Sequence, residues 1–241
     1  MNDVEISSTI SQIIHYRIPL LCSFFQWLLC ILLRVDRQFF EYESVNRYYI
    51  VVKIVYLLLL ITLWCFAFEV FRNFKAGNRI YKRGVEVFSY YFIIILVILI
   101  MVWPGTWAWD DIWVLDSLKH FDTFYPWQNV LTGIYQDVLL QMIPFPGGII
   151  FLQNVIISIC VAFAVTMLED TFSLNTGLIK PADTIIKLVP FLLFPVLRYQ
   201  LSGYRMGIYV YLEMTMLVIV ICEAGNKQRI RSEERRVGKE C

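Results

Sequence analysis

Two adjacent aspartates in an aromatic setting are the residues of this chain best suited to chemistry. Asp110 and Asp111 lie in the stretch WPGTWAWDDIW, residues 103–113, at the end of a long apolar run. A carboxylate just outside a bilayer could accept the proton of an attacking hydroxyl or help to hold a divalent cation. Adjacent helical residues project about 100° apart, so we expect only one to point into a site. The alternative is that both simply favour a helix N-terminus.

Further polar side chains could assist this pair. Asp116 and His120 are an i, i+4 pair, a spacing that suits a base oriented by an acid or, alternatively, a surface contact. Arg198 and Arg205 flank a short turn between two apolar runs. Arginine suits a phosphate because its planar fork donates two hydrogen bonds, although both side chains could instead extend to the membrane interface.

The elements that must position these residues are membrane helices. The chain is 59% hydrophobic and 17% charged, with a mean hydropathy of +0.62, which is outside the balance of soluble domains. The net charge of +1 gives no basic surplus to suggest nucleic acid. A bilayer core about 30 Å thick needs about 20 apolar residues per helix.

Six runs qualify or nearly do, and the first and the last two are short enough to be tilted or discontinuous. The sequence therefore predicts an all-α polytopic transmembrane helical bundle of about six spans. The runs are residues 18–33, 48–71, 88–103, 147–168, 184–201 and 206–222.

The charges between these runs indicate the orientation. Loop 72–87 is rich in Lys and Arg, whereas loop 104–146 holds five aspartates against one lysine. Because basic short loops stay in the cytoplasm, we expect an integral plasma-membrane protein with a cytoplasmic N-terminus and an extracytoplasmic loop 104–146. Loop 34–47 carries three arginines on the predicted outer side, so the first run could be interfacial rather than spanning.

Loop 104–146 is predicted to be ordered at the membrane surface. Four of the seven tryptophans lie in it and a fifth, Trp103, directly precedes it, which is typical of an interfacial segment. After a turn at Pro104-Gly105, Thr106 could cap a first helix that runs to about residue 121. A second helix over residues 128–143 should lie in the interface with one wet, polar face. That face would carry Asn129, Thr132, Gly133, Gln136 and Asp137.

This order of elements resembles the C-type membrane glycosyltransferases, the superfamily of protein O-mannosyltransferases, aminoarabinose transferases and oligosaccharyltransferases. The matching residues are Pro104-Gly105, the pair Asp110-Asp111, and Tyr125-Pro126-Trp127-Gln128, which is similar to a His-Pro segment of that family. The resemblance covers residues 102–170. In the family, an acidic outer loop folds into two juxtamembrane helices over the active site. Here that loop follows the third apolar run rather than the first, and Tyr125 replaces a common histidine.

The resemblance implies an inverting transferase that moves a sugar from a polyprenyl-phosphate-linked donor to an acceptor on the extracytoplasmic face of a bacterial membrane. Its partners would be this donor and the membrane lipids. Asp110 or Asp111 would act as the base or as a ligand of a divalent cation. The residues expected to bind substrate are Gln128, His120, Asp137, Arg198 and Arg205.

A transporter or a flippase of lipid-linked glycans, without transferase chemistry, is the alternative function. It is indicated by charges within the apolar runs, which are costly unless they are paired or face water. A structural membrane subunit would require only the spans, so the residues alone leave open whether the chain is an enzyme. The charges in question are Lys53, Glu69, Lys187 and Glu213.

The last residues of the chain stand apart from the rest. The stretch RSEERRVGKEC, residues 231–241, resembles the codon-by-codon translation of a common short-read sequencing adapter, and we expect it to be non-native. The alternative is a charged cytoplasmic tail. On the first interpretation, residues 1–230 form a single integral membrane domain that is the N-terminal part of a longer protein.

Overall fold

A computed structural model describes residues 3–41, 47–120, 130–174, 176–203 and 206–240. Within these residues the chain forms nine α-helices and two short 3₁₀ turns, Val35–Gln38 and Val189–Leu192, and no strand. The predicted all-α class is confirmed. The helices are α1 (Asp3–Leu32), α2 (Arg47–Lys75), α3 (Arg79–Met101), α4 (Trp109–Lys119), α5 (Val130–Met142), α6 (Pro146–Phe172), α7 (Lys180–Leu188), α8 (Phe194–Gln200) and α9 (Met206–Glu240).

Four helices of the described chain are long and apolar enough to cross a membrane. They are α2, α3, α6 and the part Gly207–Gly225 of α9. In addition, α1 contains the shorter apolar stretch Tyr16–Leu32. Helices of this length and composition are those that span bilayers, because they satisfy their own backbone hydrogen bonds in lipid. The chain is therefore a helical membrane protein.

The helices belong to two compact units. The first unit comprises residues 1–77 and 109–149, and the second comprises residues 78–108 and 150–241. The first thus contains α1, α2, α4 and α5, and the second contains α3, nearly all of α6, and α7 to α9. Loop 104–146 is divided between them, since both of its helices lie in the first unit and its first residues lie in the second.

In the first unit, α1 and α2 pack along each other, and the Val35–Gln38 turn lies between them in the chain. Arg34 begins this turn with a left-handed backbone at φ 51°. The buried stripe of α2 consists of Val52, Tyr56 and Leu60, at the four-residue spacing that keeps side chains on one helix face. Helix α5 packs against α2 and against the turn, and α4 packs against α5.

In the second unit, α6 is the central helix. Of an 18-residue apolar stretch of α6, 67% is buried within the protein, against 28% or less for the corresponding stretches of the other three long helices. Helix α3 buries a stripe at four-residue spacing, made of Val87, Tyr91, Ile95 and Leu99. This unit therefore has a conventional apolar core, to which α3 contributes one face.

The short run 184–201 is discontinuous in the structure, as its length and composition indicated. Helix α7 ends at Leu188, the Val189–Leu192 turn follows, and α8 covers the remainder. Pro190 and Pro195 lie at the starts of the turn and of α8. Because proline lacks a backbone N–H and clashes with the preceding turn, neither residue can continue a helix from before it.

The interrupted segment runs beside the whole length of α3. Near the start of α3, Arg83 Nη2 lies 3.5 Å from Asp183 Oδ2. Just beyond its end, the Thr106 N–H donates to the Leu201 carbonyl oxygen at 2.7 Å. The segment therefore crosses the second unit as α3 does, although it is not one helix.

A buried polar network holds the end of this segment. The backbone carbonyl of Gln200 accepts a hydrogen bond of 3.1 Å from Asn154 Nδ2 on α6. The Gln200 side chain bonds the hydroxyls of Tyr91 on α3 and Tyr211 on α9. Four elements of the second unit thus meet at one glutamine, and Asn154 satisfies the carbonyl that the end of α8 leaves unpaired.

Gly105 allows the close approach between the end of α3 and Leu201. It has φ +103°, and a Cβ there would meet the Ile150 side chain and lie 2.9 Å from the Leu201 carbonyl oxygen. We expect Gly105→Ala to lower the free energy of unfolding by about 2–3 kcal/mol, because it adds a clash to backbone strain. Unfolding in detergent, followed by tryptophan fluorescence, measures this.

Gly177→Ala is the matched control for this prediction. Gly177 also has a left-handed backbone, at φ +74°, but an added Cβ would meet nothing within 4 Å. Alanine there should cost about 1 kcal/mol through backbone strain alone. Equal losses in the two variants would contradict the predicted steric contact.

Candidate functional site

Helix α4 places the two adjacent aspartates in different environments. Asp111 shares a face with Val114 and Leu118, and all three side chains are buried. Asp111 is 8% exposed, whereas Asp110 is exposed. This is the divergence expected of adjacent helical residues. The i, i+3, i+7 spacing of Asp111 with two apolar residues is the sequence signal that could have selected it.

The predicted cap of this helix is wrong. Helix α4 begins at Trp109 rather than directly after Thr106. The backbone N–H and the hydroxyl of Thr106 instead donate to the Leu201 carbonyl oxygen, at 2.7 Å and 3.1 Å. Thr106 therefore bonds a residue that is distant in the sequence, Leu201, instead of capping α4.

The predicted wet face of α5 is buried. Thr132, Gln136 and Asp137 are 1%, 4% and 0% exposed, while Leu131 on the other side is 66% exposed. The prediction of a solvated polar face is therefore wrong. The physical reason is that α5 packs against α2 and the Val35–Gln38 turn, which place polar groups against it.

A buried ion pair, which the sequence did not predict, provides those polar groups. Lys53 Nζ lies 2.6 Å from Asp36 Oδ2, with the side chains 6% and 3% exposed. Lys53 also donates to Gln141 Oε1 on α5 and lies 3.6 Å from Cys30 Sγ on α1. The Tyr49 hydroxyl donates to Asp36 Oδ2 at 3.4 Å. Lys53 thus connects α1, α2, α5 and the turn, rather than extending its charge to the interface.

Helix α5 contributes a further buried carboxyl to this unit, that of Asp137. It is fully buried, and neither of its oxygens makes a geometrically satisfactory hydrogen bond to the described residues. Burial raises the pKa of Asp137 to about 8, and the nearby Tyr48 hydroxyl opposes this only in part. The carboxyl is therefore mostly protonated at neutral pH. Its position on α5 is one helical turn before Gln141.

The predicted Asp116 and His120 pair is replaced by other contacts. His120 Nε2 lies 3.9 Å from Glu41 Oε2, with both side chains more than half exposed. Asp116 Oδ1 lies 3.8 Å from Lys119 Nζ. Exposed pairs at such distances contribute about 0–1 kcal/mol. His120 is therefore a surface residue of the first unit, separate from the buried carboxyls.

The remaining substrate-binding candidates lie elsewhere. Arg198 is exposed in the last turn of α8, in the second unit. Gln128 and Arg205 lie outside the described residues, as does the stretch 125–127. The structure thus brings Asp111 and Asp137 onto the buried faces of two helices that pack together.

The described residues form no ligand cluster for a divalent cation, since no three His, Cys, Asp or Glu side chains among them lie close enough together. Asp110 and Asp111, the predicted metal ligands, have side chains of different exposure on α4. They do not form a converging pair. A cation at Asp111 would therefore need ligands from outside this pair.

The charges that indicated a transporter have ordinary surroundings. Lys187 Nζ lies 2.8 Å from both Glu169 Oε1 and Asp183 Oδ2, so it is paired. Glu69 and Glu213 are exposed on the surface of their helices. None of the three stands as an isolated buried charge, which is the usual mark of a transport site.

The first unit contains two buried carboxyl groups, Asp111 and Asp137, of a type that exchanges protons. Asp111 can accept a proton from a group bound beside α4, and Asp137 can hold one in a dry environment. Lys53 and Asp36 hold α5, which carries Asp137, against α2 and the turn.

Compared with known proteins, the chain matches no protein-family model, no curated protein and no solved structure.

Proposed function

We propose that this chain is the membrane domain of a glycosyltransferase acting on the extracytoplasmic face of a bacterial plasma membrane. It would move a sugar from a polyprenyl-phosphate-linked donor to an acceptor hydroxyl. The observation that carries the proposal is the burial of Asp111 on α4, the helix that follows the α3 span. A carboxylate held in this way beside the bilayer is positioned for general-base catalysis.

The proposed reaction needs one base. The acceptor oxygen bonds to the anomeric carbon, the bond from that carbon to the phosphate oxygen breaks, and the phosphate leaves with the electron pair. The acceptor's proton passes to Asp111. A phosphate leaving group requires no protonation, so a single carboxylate is sufficient for the proton transfer.

The depth of α4 suits a lipid-linked donor. Trp109 and Trp113 are exposed and lie one turn apart, with ring centroids separated by 6.2 Å. Exposed tryptophans concentrate at the headgroup level of membranes, where the phosphate of a polyprenyl carrier lies. The tryptophan face and the Asp111 face are on different sides of the helix, so α4 can contact lipid on one side while Asp111 lies on the side that faces the protein, where the acceptor hydroxyl would have to reach it.

Sugar transfer by the full-length protein in sealed vesicles tests the proposal. With a radiolabelled polyprenyl-phosphate sugar, we expect transfer to acceptors on the extracytoplasmic side. Transfer should disappear in the double variant Asp110→Asn/Asp111→Asn and persist in Glu213→Gln, which alters an exposed residue of α9. Full transfer by the double variant would overturn the proposal. Transport activity that depended on Glu213, and not on the acidic pair, would instead support a transporter or flippase.

A further inference from the structure

Two buried polar side chains on α5 have unsatisfied atoms one helical turn apart. Asp137 and Gln141 are 0% and 1% exposed. Both oxygens of Asp137 and the Nε2 of Gln141 lack hydrogen bonds to the part of the chain that the structure describes. Buried polar groups are nearly always bonded, so such exceptions require a physical reason. A dry carboxyl with no strong donor is far less costly when it is neutral.

The charges around α5 also favour a neutral Asp137. Lys53 lies buried in this region, and its positive charge is already balanced by Asp36 at 2.6 Å. An ionised Asp137 would therefore be an uncompensated negative charge away from water. Buried or half-buried titratable groups on the elements that pack against α5 include Tyr48, Tyr49, Lys53 and Tyr56 on α2, Asp36 in the turn, and Asp111 and Lys119 on α4, and Cys30 of α1 contacts Gln141.

Helix α5 is enclosed on nearly all sides. Its apolar residues Val138, Leu139 and Leu140 are buried together with its polar residues, and among its described side chains only Leu131 is exposed. The pattern alone would favour polar groups in water. Burial of the polar face therefore requires that its one carboxyl group, that of Asp137, remain uncharged.

We propose that the carboxyl group of Asp137 is a proton-binding site within the first unit, occupied at neutral pH, and that the bound proton holds the polar face of α5 against α2. Release transfers the proton from the Asp137 carboxyl to water and leaves a carboxylate. The carboxylate then favours hydration, and the polar face of α5 separates from its partners. The site and its effect on α5 do not depend on sugar transfer.

The direction of the pH dependence follows from burial. The pKa of Asp137 is raised from 3.8 to about 8 in the folded protein, so between these values the folded state binds more protons than the unfolded chain. The contribution of this site to the free energy of folding is most favourable below pH 3.8 and declines as the pH rises towards 8. The folding equilibrium constant should fall by up to about tenfold per pH unit over this window and level off above it.

Infrared spectroscopy of the full chain in nanodiscs tests the bound proton. Between about pH 5 and pH 10, the carboxylic-acid C=O band of the wild type should disappear with a midpoint near pH 8. Asp137→Asn should lack this titrating band, and Asp110→Asn, which alters an exposed carboxyl, should keep it. A wild type without the band at neutral pH, or the same titration in Asp137→Asn, would overturn the proposal.

Hydrogen exchange tests the effect of the proton on α5. After correction for the intrinsic pH dependence of exchange, backbone amides of residues 130–142 should exchange at least about tenfold faster above the transition than at neutral pH. An asparagine side chain cannot ionise, so Asp137→Asn should stay protected at both pH values. Equal protection of wild-type α5 at both pH values would contradict the proposed effect of the bound proton on α5. If Asp137→Asn does not fold, the two wild-type measurements still decide the question.

Discussion

Lys53→Met should lower the free energy of unfolding of the full-length protein by about 3–5 kcal/mol, because it leaves a buried carboxylate without its cation. Asp36 is 3% exposed on its side chain and lies 2.6 Å from the Lys53 ammonium. The Tyr49 hydroxyl, at 3.4 Å, can donate to that carboxylate but cannot neutralise it. Chemical unfolding in detergent, followed by tryptophan fluorescence, measures the loss.

Two further variants separate charge from packing. Lys53→Met combined with Asp36→Leu removes both charges and should recover most of the lost stability, since a buried ion pair can be replaced by apolar side chains at little cost. Arg72→Met breaks an exposed contact with Glu69, at 3.8 Å, and should change stability by less than about 1 kcal/mol. If Lys53→Met is no more harmful than Arg72→Met, the buried pair is not a major contribution to stability.

Asp111→Asn should reduce the rate of sugar transfer about 100-fold or more, while Asp110→Asn should leave it nearly unchanged. Removal of a general base costs about 10²–10⁴ in rate, and Asp111 is the buried member of the pair. Asparagine keeps the size of the side chain and cannot accept the proton. Because the base acts in the transition state, the loss should fall on kcat rather than on KM.

Initial rates in vesicles, normalised to the amount of folded protein, measure this difference. The unfolding transition of each variant should be recorded in parallel, since a lower rate with a lower transition would indicate damage to the fold. The reverse ranking, with Asp110→Asn inactive and Asp111→Asn active, would exclude Asp111 as the base.

The spans could be predicted from sequence because each contains its own signal. About 20 apolar residues identify a membrane helix without reference to the rest of the fold. The four long helices lie within or around the predicted runs, and the short run 184–201 proved discontinuous. The two helices of loop 104–146 were also predicted, to within a few residues of their ends.

The candidate site depends on how helices pack, which local patterns do not specify. The polar stripe of α5 was identified correctly, but its direction was predicted wrongly, because the interior of this unit is itself polar around Lys53 and Asp36. Those two residues meet only once α1 and α2 pack together. For Asp111, by contrast, the apolar residues Val114 and Leu118 on its face offered a local signal.

The interrupted segment beside α3 has a consequence for the protein's synthesis. The end of α8 at Gln200 leaves carbonyl groups that the segment cannot satisfy by itself, and unpaired backbone is expensive in lipid. The Asn154 side chain and the Thr106 N–H, which bond the carbonyls of its last residues, both come from parts of the chain that the ribosome makes earlier. These two hydrogen bonds can therefore form as soon as the segment is made, whereas the bond from the Gln200 side chain to Tyr211 must wait for α9.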